Sequence, residues 1–236
     1  MSNRLLASCA AAAALSAGCV SAANAAEEGW YFSLTGGMSM IDQSRGDFDS
    51  SYGVALMNAL ADDGFNTLDA ASSFDDSNTA WGAQIGYQFM PYFAVEGGYI
   101  TLGDGTYDLD LLVDDTILGG QVAFNTNLRL RSSGFTAAAV GILPLGQRFE
   151  LNGRAGLLFA RNRVRQQVRD LTDGTFLGST ELRGNSTDLF ASLGGAWTIN
   201  PNYTLALSYQ RFFDVGDDED TPEYSIDLLS LTLQFR

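Results

Sequence analysis

The sequence predicts an all-β protein, an eight-stranded antiparallel up-and-down transmembrane β-barrel, and three observations carry that prediction. Apolar side chains recur at every second position through stretch after stretch, which is the period of a strand. The opposite face is built from Gly, Ala, Ser, Thr and Gln, residues suited to a narrow crowded lumen; a soluble barrel would cover its outside with Lys and Glu. Short connections, each containing a proline, alternate with long ones, as in barrels that put tight turns on one side of a membrane and loops on the other.

The stretch from Thr79 to Gly103 shows the pattern best. Trp81, Ala83, Ile85, Tyr87 and Phe89 share one face against Ala80, Gly82, Gln84, Gly86 and Gln88. After the turn at Met90-Pro91-Tyr92, Phe93, Val95, Gly97 and Tyr99 oppose Ala94, Glu96 and Gly98. Aromatic residues fall near the strand ends, where a girdle would meet the membrane interface.

The remaining elements follow the same rhythm. The first strand is expected over Trp30 to Met40, followed by a connection from Ile41 to Asn78 that carries eight Asp against the single Arg45. Within it, Val54 to Ala61 has a helical apolar side, either a partner surface or a lid over the barrel mouth. A second acidic connection, Asp104 to Leu118, leads to a strand from Thr126 to Leu143. There Leu128, Leu130, Thr136, Ala138, Val140 and Ile142 oppose Arg129, Arg131, Ala137, Ala139 and Gly141. The turn at Pro144 precedes a strand from Phe149 to Asn162, with Phe149, Leu151, Ala155, Leu157 and Phe159 toward lipid and Glu150, Asn152 and Arg154 inward. A third connection spans Arg163 to Thr187. Strands Asp188 to Ile199 and Tyr203 to Phe212 flank the turn at Pro201, an acidic loop runs from Asp214 to Asp220, and the last strand is Tyr224 to Phe235.

The N-terminus reads as a secretory signal: Arg4, an apolar run from Leu5 to Val20, and an Ala-x-Ala site that predicts cleavage after Ala25. This divides the chain into a signal peptide, 1–25, and a barrel, 26–236. Leu15 to Cys19 offers lipoprotein processing at Cys19 as the alternative. Cleavage after Ala25 removes Cys9 and Cys19, leaving no disulfide. No run beyond the leader is long and apolar enough for a transmembrane helix, so only a closed barrel could cross a bilayer.

Gly86 to Tyr99, with its Met90-Pro91-Tyr92 turn, the Leu143-Pro-Leu-Gly146 turn, and Tyr209-Gln-Arg-Phe212 before Asp214-Val-Gly216 together resemble the OmpA-like eight-stranded outer-membrane barrel family. The resemblance covers the whole of 26–236 and implies an integral protein of the bacterial outer membrane, with lipid and lipopolysaccharide around it. The peptidoglycan-binding domain that follows the barrel in many members has no counterpart, so cell-wall tethering is not expected.

Composition narrows the chemistry. The chain contains no His, and its formal net charge is -15 with every one of its 13 basic residues Arg. Ser-His catalysis is therefore excluded, nucleic acid is an unsuitable partner, and no cofactor is implied. Clustered carboxylates from Asp214 to Asp220 suggest a solvated loop or a weak divalent-cation site. Inward charges should pair in so narrow a lumen: Glu96 with Arg154, joined by Gln84, Arg129, Arg131 and Glu150. That network is either packing or the gate of a narrow ion path. Leu229, Leu231, Leu233 and Phe235 form a terminal strand resembling the signal read by the outer-membrane assembly machinery, with Arg236 reaching out toward periplasmic headgroups. The expected function is a non-enzymatic structural or surface-interaction role exercised through acidic extracellular loops, the alternative being a porin-like channel for ions or very small solutes.

Overall fold

The computed structural model describes residues 28–75, 77–115, 119–172, 174–217 and 221–236. The expected leader, with Cys9 and Cys19, lies outside the described residues, as do Asp218, Glu219 and Asp220 of the acidic run.

Among the described residues nine strands form one antiparallel sheet: β1 (Gly29–Ile41), β2 (Phe65–Asp75), β3 (Ser77–Met90), β4 (Phe93–Asp115), β5 (Gln121–Pro144), β6 (Phe149–Asp170), β7 (Phe176–Asn200), β8 (Tyr203–Asp217) and β9 (Thr221–Phe235). The pairing β4–β5 together with β1–β9 closes the ring. Both β2 and β3 pair antiparallel with β4, β3 along its first part and β2 along its second, so β2 and β3 lie end to end as one wall position of eight. Closure matters because an open sheet edge in lipid would leave backbone groups unsatisfied at several kcal/mol each.

Alternation sorts side chains by parity along the lower part of each strand. Trp30, Phe135, Leu189 and Leu193 are all more than 60% exposed, part of a continuous apolar belt that only a lipid surroundings tolerates. The lower edge of the belt carries ring pairs Trp30–Tyr87 (5.1 Å), Phe89–Phe93 (5.2 Å) and Tyr203–Phe235 (5.5 Å); the upper edge carries Trp81–Tyr99 and Tyr99–Phe135.

Above that belt the expected loops are largely wall. β4 runs on through 104–115, β6 through 163–170 and β7 starts at Phe176, so the second and third long connections are strand extensions with short tips. On β4, β5 and β6 the polarity of these segments is inverted, apolar inward and polar outward, as in a soluble barrel. On β4 the inversion is produced by a bulge between Thr101 and Asp104, where Gly103 adopts φ +83°, a conformation that favours glycine. The bulge shifts parity by one: Ile100 and Leu102 point in below it, and Tyr107, Leu109, Leu111 and Val113 point in above it.

The connection between β1 and β2 is helical, with α1 (Arg45–Phe48), one π-helical turn (Asp49–Gly53) and α2 (Val54–Asp62). Phe48 is buried, and Tyr52, Leu56, Met57 and Leu60 pack with it against the upper core. Of the two expectations for this segment, the packed lid describes what the side chains do.

Candidate functional site

The lower lumen holds a hydrogen-bonded charge network. Arg154 on β6 donates from Nε to Glu96 Oε2 at 2.8 Å and from Nη2 to Oε1 at 3.4 Å, and its Nη1 donates to Asn152 Oδ1 at 3.1 Å. Tyr31 on β1 donates its hydroxyl to Glu96 Oε1 at 2.8 Å. The ion pair is nearly dry, with side chains 10% and 6% exposed. Gln84 sits in a neighbouring hydroxyl cluster, where its Oε1 accepts from Ser33 (3.4 Å) and Thr35 (3.3 Å). Glu150, four residues below Arg154 on the same inward face, lines a vestibule of about 740 Å³ at the short-turn end together with Arg148 and Arg236.

Two sequence expectations are corrected at this level. Arg129 and Arg131 do not enter the lumen, because on β5 it is the even-numbered apolar face, Leu128 and Leu130 through Val140 and Ile142, that is buried throughout. The expectation followed the rule that the more apolar face meets lipid; here Phe135, Ala137 and Ala139 meet lipid, and the inward side encloses an apolar core. Arg236, expected to reach outward, turns in: its Nη2 donates to Gln88 Oε1 at 2.8 Å and its guanidinium lies 5.9 Å from the Tyr31 ring centroid.

Above the charge network comes a dry layer that sequence reasoning missed. Ile100, Leu158, Phe190, Phe212 and Leu228 are each no more than 5% exposed, and Phe190 stacks on Phe212 with centroids 5.2 Å apart. A polar cluster adjoins it: Ser132 donates to Asn162 Oδ1 (2.6 Å), Asn162 to Ser186 Oγ (3.0 Å) and Ser186 to Asp188 Oδ2 (2.8 Å), with the Tyr224 hydroxyl 2.9 Å from Ser132 Oγ. The signal was present in the unbroken alternation of 156–166, which the assumption of a loop after Asn162 cut short.

At the opposite end the helical segment is anchored by Tyr107, whose hydroxyl donates to Asp49 Oδ1 at 2.6 Å. Accepting that bond holds the Asp49 carboxyl below the usual carboxylate range, while burial and then the same bond push the Tyr107 phenol up. Between this segment and the wall of β5, β6 and β7 lies a cavity of about 340 Å³, lined by Phe48, Tyr52, Leu128, Val164 and Leu182 among others. The Tyr52 hydroxyl is buried with no hydrogen-bond partner among the described residues, and burial pushes its phenol up to about 12. Outside, the acidic side chains of β4 are tied to β5: Asp104 by a two-pronged bond from Arg131 (2.5 and 2.6 Å), Asp108 by Asn127 and Asp110 by Asn125 (both 2.7 Å). No group of three carboxylates, His or Cys able to hold a metal occurs among the described residues.

Residues 26–236 match the model of a family described as the OmpA-like transmembrane domain. The chain belongs to that family. This OmpA-like barrel is an integral protein of the bacterial outer membrane. Among solved structures it is similar to Ail, the attachment invasion locus protein of Yersinia pestis, at 14% identity and TM-score 0.41, covering 89% of this chain and 100% of that one. It is also similar to Neisserial surface protein A (13%, TM-score 0.42, 87% and 96% covered) and to OprG from Pseudomonas aeruginosa (13%, TM-score 0.42, 89% and 98% covered). No curated protein matches the chain in sequence.

Proposed function

We propose that this OmpA-like barrel is a closed, non-enzymatic membrane anchor whose role lies in its projecting extracellular wall, a surface-interaction protein and not a channel. The observation that supports this is the apolar layer of Ile100, Leu158, Phe190, Phe212 and Leu228, which fills the lumen directly above the Glu96–Arg154 pair. A hydrated ion crossing it would have to shed water among tightly packed, largely apolar side chains, at a cost of several kcal/mol. Eight strands enclose only enough room for side chains, and here apolar ones occupy it. The wall above is ordered by cross-strand bonds and by the packed helical lid, so a partner would meet a shaped surface. With no His in the chain, a general base near neutral pH would have to be a perturbed carboxylate.

The test is single-channel recording of the purified, heat-modifiable protein in planar bilayers. Current indistinguishable from leak is the expected result. Discrete, reproducible ion-selective openings would overturn the reading in favour of a narrow porin-like channel.

A further inference from the structure

Six arginines of a strongly acidic chain stand together on one outer face. By strand pairing, Arg131, Arg163 and Arg183 occupy one row across β5, β6 and β7, Arg129, Arg165 and Glu181 the row above, and Ser133, Arg161 and Asn185 the row below. All six arginines are exposed and point outward, since the buried residues of these strands are the alternate ones. The next row down is Phe135, Phe159 and Thr187, and below that Ala137, Leu157 and Leu189, the upper part of the lipid belt.

Internal carboxylates do not balance this charge. Arg131 pairs with Asp104, while Arg163 (3.1 Å) and Arg183 (2.7 Å) share Glu181. Arg129 and Arg161 have no ion pair among the described residues, and Arg165 reaches Glu181, its cross-strand neighbour, only as a third cation beyond ion-pair distance. Like charges directly opposite on neighbouring strands repel, and the cross-strand pairs Arg129–Arg165, Arg131–Arg163 and Arg163–Arg183 are three such juxtapositions. An anion supplied from outside would relieve all three.

Height decides which anion. At about 3.4 Å per residue and a strand tilt of about 40°, Arg161 lies roughly 5 Å above the Phe135–Phe159 row, and Arg165 roughly 15 Å above it. That places the block just outside the hydrocarbon, reaching past the depth of a simple phospholipid headgroup, roughly 5–8 Å per leaflet. Adjacent strands are about 4.8 Å apart, so one row spans about 10 Å and can hold separate phosphates on planar guanidinium forks. We propose that this face binds the phosphates of a multiply phosphorylated glycolipid of the outer leaflet, lipopolysaccharide, whose acyl chains lie against Phe135, Phe159 and Leu189 while its charged head meets the arginines.

The test uses the mature barrel in phospholipid nanodiscs doped with lipopolysaccharide or with its dephosphorylated form, with bound glycolipid measured by native mass spectrometry. Wild-type protein should retain the phosphorylated form, in a salt-sensitive manner, and not the dephosphorylated one. The variant R161Q/R163Q/R165Q should bind roughly 100-fold more weakly, at about 1 kcal/mol per charge near a membrane surface. Should the triple variant lose heat-modifiable folding, R129Q and R161Q singly, at exposed positions without an ion pair, should each weaken binding about fivefold. Equal retention by wild type and variants, or indifference to phosphate, would overturn the assignment.

Discussion

Removing Arg154 would leave Glu96 buried beside the dry layer with only the Tyr31 hydroxyl as a partner. Breaking a buried ion pair by deleting one member costs about 3–5 kcal/mol, and the open vestibule below argues for the lower end. Arg154→Ala is therefore expected to destabilise by about 3 kcal/mol, and Glu96→Ala by a similar amount, moderated by Asn152 and by Glu150 on the same face. The double variant leaves neither charge stranded, so the coupling should reach about 2–3 kcal/mol. At about 2–4 °C per kcal/mol for a chain of this size, each single change lowers the midpoint by roughly 6–12 °C. The measurement is the heat-modifiable gel shift of refolded protein against temperature. Additive single effects would refute the reasoning.

A Cβ at Gly86 would overlap the Tyr31 ring, and one at Gly156 would overlap the Ala137 carbonyl, whereas at Gly97 the nearest atom is 3.7 Å away. Gly86→Ala and Gly156→Ala should thus cost about 1–3 kcal/mol and Gly97→Ala within about 0.5 kcal/mol in the same thermal assay; similar losses at all three would count against the packing. Because the Asp49 carboxyl titrates below its ordinary value, its grip on Tyr107 is present above the usual carboxylate pKa and is lost as pH falls through the depressed one. Hydrogen exchange in 45–62 should accordingly rise below about pH 4, and Tyr107→Phe should already show faster exchange at neutral pH, with little further change. Phe235 packs against Phe32 and edge-on to Tyr203 and closes β9 onto β1, so deleting Phe235 and Arg236 should sharply reduce heat-modifiable, membrane-inserted protein in cell fractionation. Deleting Arg236 alone should leave insertion near normal while freeing Gln88; wild-type insertion after the double deletion would refute the C-terminal assembly signal.

How far the sequence could be read followed from how local the cause was. Strand alternation is a property of consecutive residues, so the parity of Tyr31, Gln84, Glu96, Arg154 and Leu229 to Phe235 could be assigned from the chain alone, as could the three proline turns. The scarcity of positive charge and the absence of histidine are likewise facts of composition, and they limit the chemistry before any fold is known. What the chain did not reveal depends on which environment surrounds a face. Apolar alternation looks the same whether its greasy side meets lipid, as in β3, or an enclosed core, as in β4 above Gly103, so the extensions read as loops and β5 reads inside out. Only the closed barrel brings Phe190 onto Phe212 and stacks Arg131, Arg163 and Arg183 into one row from three strands; it also turns Arg236 in to Gln88 across 148 residues of chain. The sequence by itself determined the period, the turns and the charge supply. The tertiary structure decided which side of each strand is inside, because inside and outside are defined by closure, and closure is made by pairings between residues far apart in the chain.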